Sequence, residues 1–275
     1  MRRRVQQASH DLSWLSDRCV QAAESSNAQQ WSSRRATESW RLRLTVRFPM
    51  ASSACGVVSS ECGGMTDDDV WSGKHARAHD APVRSLNASV LRWRIDTARS
   101  IPLFDPDDGG DAARCLVLLE SPGPKTMRPG GTNMCSFDNP DRTNPVLKSV
   151  FADAGIDRVQ CVKWNIVPWA VLDDAGHPVS PTASVLGEAG PYVGELMALL
   201  PKLEVVFVLG AKALDGYMRV ITASAPTRLL PVIAAPHPSA RNAHAPAAAR
   251  QRLINAALSV ATHLEKAPEP RTVLR

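Results

Sequence analysis

The sequence predicts an α/β fold in which helices cover both sides of a parallel sheet. Three observations carry this prediction. Strand-like and helix-like segments alternate from about residue 114 to residue 265, the order expected of strands joined by crossover helices. The run Glu204-Val205-Val206-Phe207-Val208-Leu209-Gly210 is apolar without alternation, as a strand buried on both faces requires. Finally, three apolar runs each end in a polar segment bounded by proline, at Glu120-Ser121-Pro122-Gly123-Pro124, Asn165-Ile166-Val167-Pro168-Trp169 and His237-Pro238-Ser239-Ala240-Arg241-Asn242. In an open parallel sheet the carboxyl ends of the strands face one crevice, and ligands bind there.

In chain order, residues 1–64 stand apart. They hold twelve serines, three of the seven tryptophans, nine arginines and no lysine, with no sustained helical or strand period. They are expected to be disordered. Met65-Thr66-Asp67-Asp68-Asp69 resembles an ordinary protein start, so residues 1–64 are read as a spurious upstream extension; an organellar transit peptide is the rival, weakened by Asp11, Asp17, Glu24 and Glu38. The folded domain is set at 65–275. Residues 70–100 suggest one or two helices, clearest over Val90-Leu91-Arg92-Trp93-Arg94-Ile95, and residues 102–110 form a turn-rich loop.

The first strand is predicted over 115–119, followed by a long loop to about 143 and a helix over 145–154 that Gly155 can cap. The second strand covers 158–167. After a looser segment come a helix near 191–200, the strand 204–210, a helix over 211–223 and a fourth strand over 229–235. Residues 246–265 form the last helix, with Leu253, Ala257, Val260 and Leu264 on one face.

Composition narrows the function classes. The 44% hydrophobic fraction supports a sizeable core, and no run of eighteen apolar residues suggests a membrane span. The net charge of +5 is concentrated at the N-terminus: residues 1–64 carry nine arginines against five acids, which leaves 23 basic and 22 acidic side chains elsewhere. Global charge is therefore no nucleic-acid footprint. None of the six cysteines forms Cys-x-x-Cys. Cys115 and Cys161 fall in predicted strands as small hydrophobes, and a reduced cytoplasmic setting is expected.

The three polar segments together resemble the uracil-DNA glycosylase superfamily, over about residues 101–266. His237-Pro238-Ser239-Ala240-Arg241-Asn242 is close to the His-Pro-Ser-x-Arg-Asn form of several members. The first segment departs from Gly-Glu-x-Pro-Gly, because Leu119 stands where the first glycine would be. The resemblance implies a three-layer α/β/α sandwich with a four-stranded parallel sheet. It also implies that His237 donates to uracil O2 as negative charge builds on the leaving base, and that Glu120 handles the attacking water or the cationic sugar. Asn165 offers one acceptor and two donors in a plane, which matches uracil O4 and N3–H; an Asx turn at the strand end is its structural alternative.

The family stacks the flipped base on an aromatic in the loop after the first motif. Phe137 is the candidate here and Met134 the runner-up, with anchoring of the loop to the core as the alternative for Phe137. Gly123 and Pro124 are expected beside the substrate. Ser239, Ala240 and Arg241 are expected at the DNA backbone and at the gap left by the extruded nucleotide. Trp164 and Trp169 are assigned to the wall or core.

No metal or cofactor is expected: the paired cysteines of the iron–sulfur members are lacking, and His237 and His244 have no partners at ligand spacing. The expected activity is hydrolytic, monofunctional removal of uracil from DNA, single-stranded DNA included, by a monomer without membrane contact. The alternatives are a non-catalytic uracil- or nucleic-acid-binding module and a glycosylase for another deaminated base.

Overall fold

The centre of the protein is a four-stranded, all-parallel sheet built from the most apolar runs of the chain. The structure, a computed structural model, describes residues 67–223, 228–238 and 246–265. The reading of 1–64 and the roles given to Ser239, Ala240 and Arg241 therefore lie outside the described residues. Six strands occur among those described: β1 (Leu103–Phe104), β2 (Cys115–Leu119), β3 (Met134–Cys135), β4 (Cys161–Asn165), β5 (Val205–Leu209) and β6 (Val232–Ala235). The main sheet has the order β4-β2-β5-β6, and β1 and β3 form a separate two-stranded parallel sheet. Every residue of β2, β4 and β5 is buried, which explains why these strands read as continuous apolar runs.

The helices are α1 (Asp67–Ala76), α2 (Arg84–Thr97), α3 (Pro124–Met127), α4 (Asn144–Ala154), α5 (Ala183–Ala198), α6 (Ala211–Thr222) and α7 (Pro246–Glu265). Alternation along the strands divides the core into two. Leu116, Leu118, Val162, Trp164, Val206 and Val208 share a cluster with α2, α5 and α6, through residues such as Trp93, Val193 and Tyr217. The intervening residues, including Val117, Leu119 and Phe207, pack with Leu147 and Phe151 of α4 and with Leu253, Ala257 and Val260 of α7. The result is the expected three-layer sandwich.

Several boundaries differ from expectation for identifiable reasons. The second strand is shorter than 158–167, because residues 158–160 make a 3-10 turn that the Asp157 side chain caps. The fourth strand begins at Val232, after Pro231. Helix α5 starts eight residues earlier than expected: Thr182 caps it by accepting from Val185 N–H, and the helix continues through Pro191. A proline removes one helical hydrogen bond, and here burial of Leu186, Ala189, Val193 and Leu196 outweighs that loss. The β1–β3 pairing lies within two segments read as loops; two-residue strands are too short to show a period.

A buried ionic network ties the segments around β1 and β3 together. The Lys74 ammonium lies 2.6 Å from Asp105, 3.0 Å from Asp107 and 2.7 Å from Asp138. Arg158 reaches Asp105, Asp108 and Asp138 at 2.9, 2.6 and 2.7 Å, and the Ser136 hydroxyl donates to Asp105. Removing one member of such a buried set leaves an uncompensated charge, at a cost of about 3–5 kcal/mol. The network fixes residues 134–138 against α1.

Candidate active site

The carboxyl ends of β2, β4 and β6 open onto one cavity of about 520 Å³. Its wall includes Glu120, Gly123, Pro124, Asn165 and His237, so five of the expected site residues converge there. Sheet register explains how. Leu119 is paired with Asn165, and beyond the strands Ile166 N–H donates to Leu119 O (2.7 Å) and Val167 N–H to Glu120 O (3.0 Å). The turn carrying Asn165 is thereby held beside the turn carrying Glu120. On the other side, Gly210 N–H donates to Ala235 O at 2.9 Å, which extends the β5–β6 ladder to within two residues of His237.

Asn165 is only 5% exposed. One side-chain N–H points to Cys135 Sγ at 3.5 Å, and among the described residues its other N–H and its carbonyl oxygen have no partner. The Glu120 carboxylate, half-buried on the same wall, likewise accepts no hydrogen bond from the described residues. Buried polar groups are normally satisfied, so an amide and a carboxylate with free capacity on one cavity wall mark a place for a ligand. Gly123 and Pro124 lie at the start of α3, where Gly123 O accepts from Thr126 N–H at 3.0 Å, and both are exposed.

Phe137 is not on this wall. It is 1% exposed and lies in the cluster beneath, with Phe151 at 5.4 Å between ring centroids. The clamp on the loop explains this: Asp138 on one side and Ser136 on the other are held by the ionic network, and the ring between them turns inward to α4. Met134 is also fully buried in the core. The side chain that β3 gives to the cavity is Cys135. Burial pushes its thiol up to about 12, against the opposing pull of Lys163, so it faces the cavity as a neutral thiol. Trp164 and Trp169 are core residues, and Trp164 stacks on Phe104 at 3.8 Å.

Sequence reasoning missed Lys163, Asn139, Asp141 and Thr143, which also line the cavity. Lys163 carried a signal, as the only charged residue of β4. Asp141 accepts from the Thr143 and Asn144 N–H groups at 2.8 and 2.9 Å and sets the start of α4. Among the described residues one acidic group has metal-like spacing, Asp105, Asp107 and Asp138. The Lys74 ammonium already sits within it, so these carboxylates are neutralised by the protein itself. No helix of the described residues is long and apolar enough to cross a membrane.

No curated protein matches the chain. Among solved structures, the crystal structure of wild-type Pedobacter heparinus SMUG2 aligns with a TM-score of 0.43 at 14% identity, covering 55% of this chain and 76% of that one. The model of the uracil DNA glycosylase superfamily matches residues 106–259, a span that includes β2, β4, β5, β6 and every one of the polar turns at the cavity. With more than half of its length matched, the chain belongs to the uracil DNA glycosylase superfamily.

Proposed function

We propose that residues 65–275 form a glycosylase domain that hydrolyses the N-glycosidic bond of uracil in DNA. The observation that carries this reading is the free hydrogen-bonding capacity of Asn165 on a cavity shared with Glu120 and His237. An amide N–H donates to uracil O4 while the amide oxygen accepts N3–H; cytosine offers a donor and a bare nitrogen at those positions and meets the amide with the wrong pattern. A cavity of about 520 Å³ is in the size range of small-molecule sites, and the nucleotide enters it by extrusion from the strand. Single-stranded DNA lowers the extrusion cost, and the near-balance of charge beyond residue 64 suits such a substrate better than tight duplex binding.

In this reading His237 donates to O2 as the bond from C1′ to N1 lengthens, and Glu120 orients the water that adds to C1′. Ser239, Ala240 and Arg241 face the DNA. A second reading, excision of a different deaminated base, has one feature in its favour. The β3 wall carries the Cys135 thiol rather than an aromatic ring, which leaves the cavity wider than a ring would.

The test is incision by the full-length chain of a labelled oligonucleotide carrying one uracil, followed by alkali. Alkali-dependent breakage at uracil, lost in His237→Ala, is the expected result. Intact DNA on both single and double strands from a folded protein would overturn the reading in favour of a binding module.

A further inference from the structure

The polar turns of the cavity do not account for Lys163. It projects from β4 two residues before Asn165, hence on the same face of the strand, and it lines the same cavity while being only 5% exposed. Its ammonium donates to Ser136 O at 2.7 Å and to the Asn144 side-chain oxygen, and it lies 5.6 Å from the Phe137 ring centre. Those acceptors are neutral, and no carboxylate among the described residues pairs with it directly. Asp141 is reached only through the Asn144 amide, at 2.8 Å. The contrast with Lys74 is sharp, since that equally buried ammonium is surrounded by three aspartates. A buried cation held only by neutral groups is costly to maintain, and its field acts on whatever occupies the adjoining cavity.

We propose that Lys163 supplies the positive charge that stabilises the departing base as an anion. The inference rests on the base-excision reading above and adds to it a residue and a substrate class. When the bond between C1′ and the base nitrogen breaks, the electron pair leaves with the base and spreads onto its carbonyl oxygens. Water adds to C1′, its proton passes to Glu120 and then to solvent, and Lys163 keeps its own proton throughout. A fixed cation beside the base favours rings whose edge presents carbonyls, the products of deamination, and disfavours rings that present amino groups there. Cys135, a neutral thiol beside Asn165, adds no competing negative charge.

The experiment compares the full-length protein with Lys163→Gln, which still donates to Ser136 O but lacks the charge, and with Lys163→Arg, which keeps the charge. Binding of free uracil and free 5-fluorouracil, whose N–H is the more acidic, is measured by calorimetry across the pH range in which each base ionises. Single-turnover excision of both bases from single-stranded DNA is measured alongside. The expected result is wild-type affinity that rises as the base ionises, a rise lost in Lys163→Gln and kept in Lys163→Arg. Excision of uracil by Lys163→Gln falls about a hundredfold, the scale of removing one preorganised charge-stabilising donor, and excision of 5-fluorouracil, the better leaving group, falls less. Equal losses on the two bases, or wild-type affinity that does not rise with ionisation, would overturn the proposal, as would borohydride trapping of DNA on Lys163. Binding of the ionised base that depends on Lys163, with no excision by the wild type, would overturn the excision reading and with it a role in base departure, leaving Lys163 as part of a binding site for the base anion.

Discussion

Gly210 and His237 pack so closely that a methyl group on Gly210 would press on the histidine. A Cβ on Gly210 would lie 3.1 Å from His237 Cβ, and the Gly210 backbone has φ +100°, a conformation that side-chain-bearing residues rarely adopt. The position of the imidazole at the cavity is thus set by the end of a neighbouring strand as much as by its own segment.

Gly210→Ala should therefore act on chemistry more than on folding. The strain costs about 1–2 kcal/mol of stability, read by urea denaturation. Displacement of His237 lowers the single-turnover excision rate by about ten- to a hundredfold, since small misplacements of reacting groups are that expensive. A stable variant with the wild-type rate would show that His237 is positioned independently of Gly210.

Phe137 gives a test of core against cavity. Buried beside Phe151, it should cost about 3–5 kcal/mol of stability when changed to alanine. Phe137→Leu keeps most of the apolar volume, so excision per folded molecule should stay close to the wild-type rate. A ring stacked on the base would instead contribute about 1–3 kcal/mol, and Phe137→Leu would then slow excision sharply while the protein stayed folded.

What was legible in the sequence follows from physics that acts over short distances along the chain. The strand Cys115–Leu119 and the helix Pro246–Glu265 were recovered with their bounds, because burial on both faces and a single apolar stripe each leave a local pattern. Asn165, Glu120 and His237 were legible as polar residues at strand ends. The remainder depends on residues far apart in sequence. Lys74 meets Asp138 across 64 positions, Gly210 packs against a histidine just beyond another strand, and β1 pairs with β3 through two residues each. Phe137 takes the core-anchoring alternative given for it, because the loop's register depends on that ionic network, which no local pattern announces.

The same network makes stability depend on pH in two opposing ways. Burial acts to raise the Asp138 pKa, but donors from Lys74, Arg158 and Lys148 outweigh it and hold the carboxyl below the 3.8 of an unperturbed aspartate. Its contribution is present above that value and is lost as pH falls through the lower folded value. Asp138→Asn should thus be destabilised at neutral pH, with the gap to wild type closing in acid. For Asp108, burial and the neighbouring Asp105 push the pKa up to about 8 despite Arg158. The folded form keeps a proton that the unfolded chain gives up, so this group's contribution declines from pH 3.8 to about 8. Over that interval Asp108→Asn should gain on the wild type, as urea midpoints at a series of pH values would show.

Asn165→Asp tests base reading most directly. A carboxylate accepts but does not donate, so it loses the bond to uracil O4 and sets negative charge against a lone pair. It accepts instead from the exocyclic amino group of cytosine. Uracil excision should fall by at least about a hundredfold, since a buried partner left unpaired is costly and the new contact is repulsive. Cytosine excision should appear, first in single strands where extrusion is cheapest. Lys163, on the same face of β4, limits the gain. The new carboxylate gives that ammonium a counter-ion within reach, so part of the field that would stabilise the leaving base is neutralised. Cytosine excision should accordingly remain well below the wild-type rate on uracil. Single-turnover rates on matched uracil and cytosine oligonucleotides measure both effects, and retention of uracil excision by the variant would show that Asn165 does not read the base.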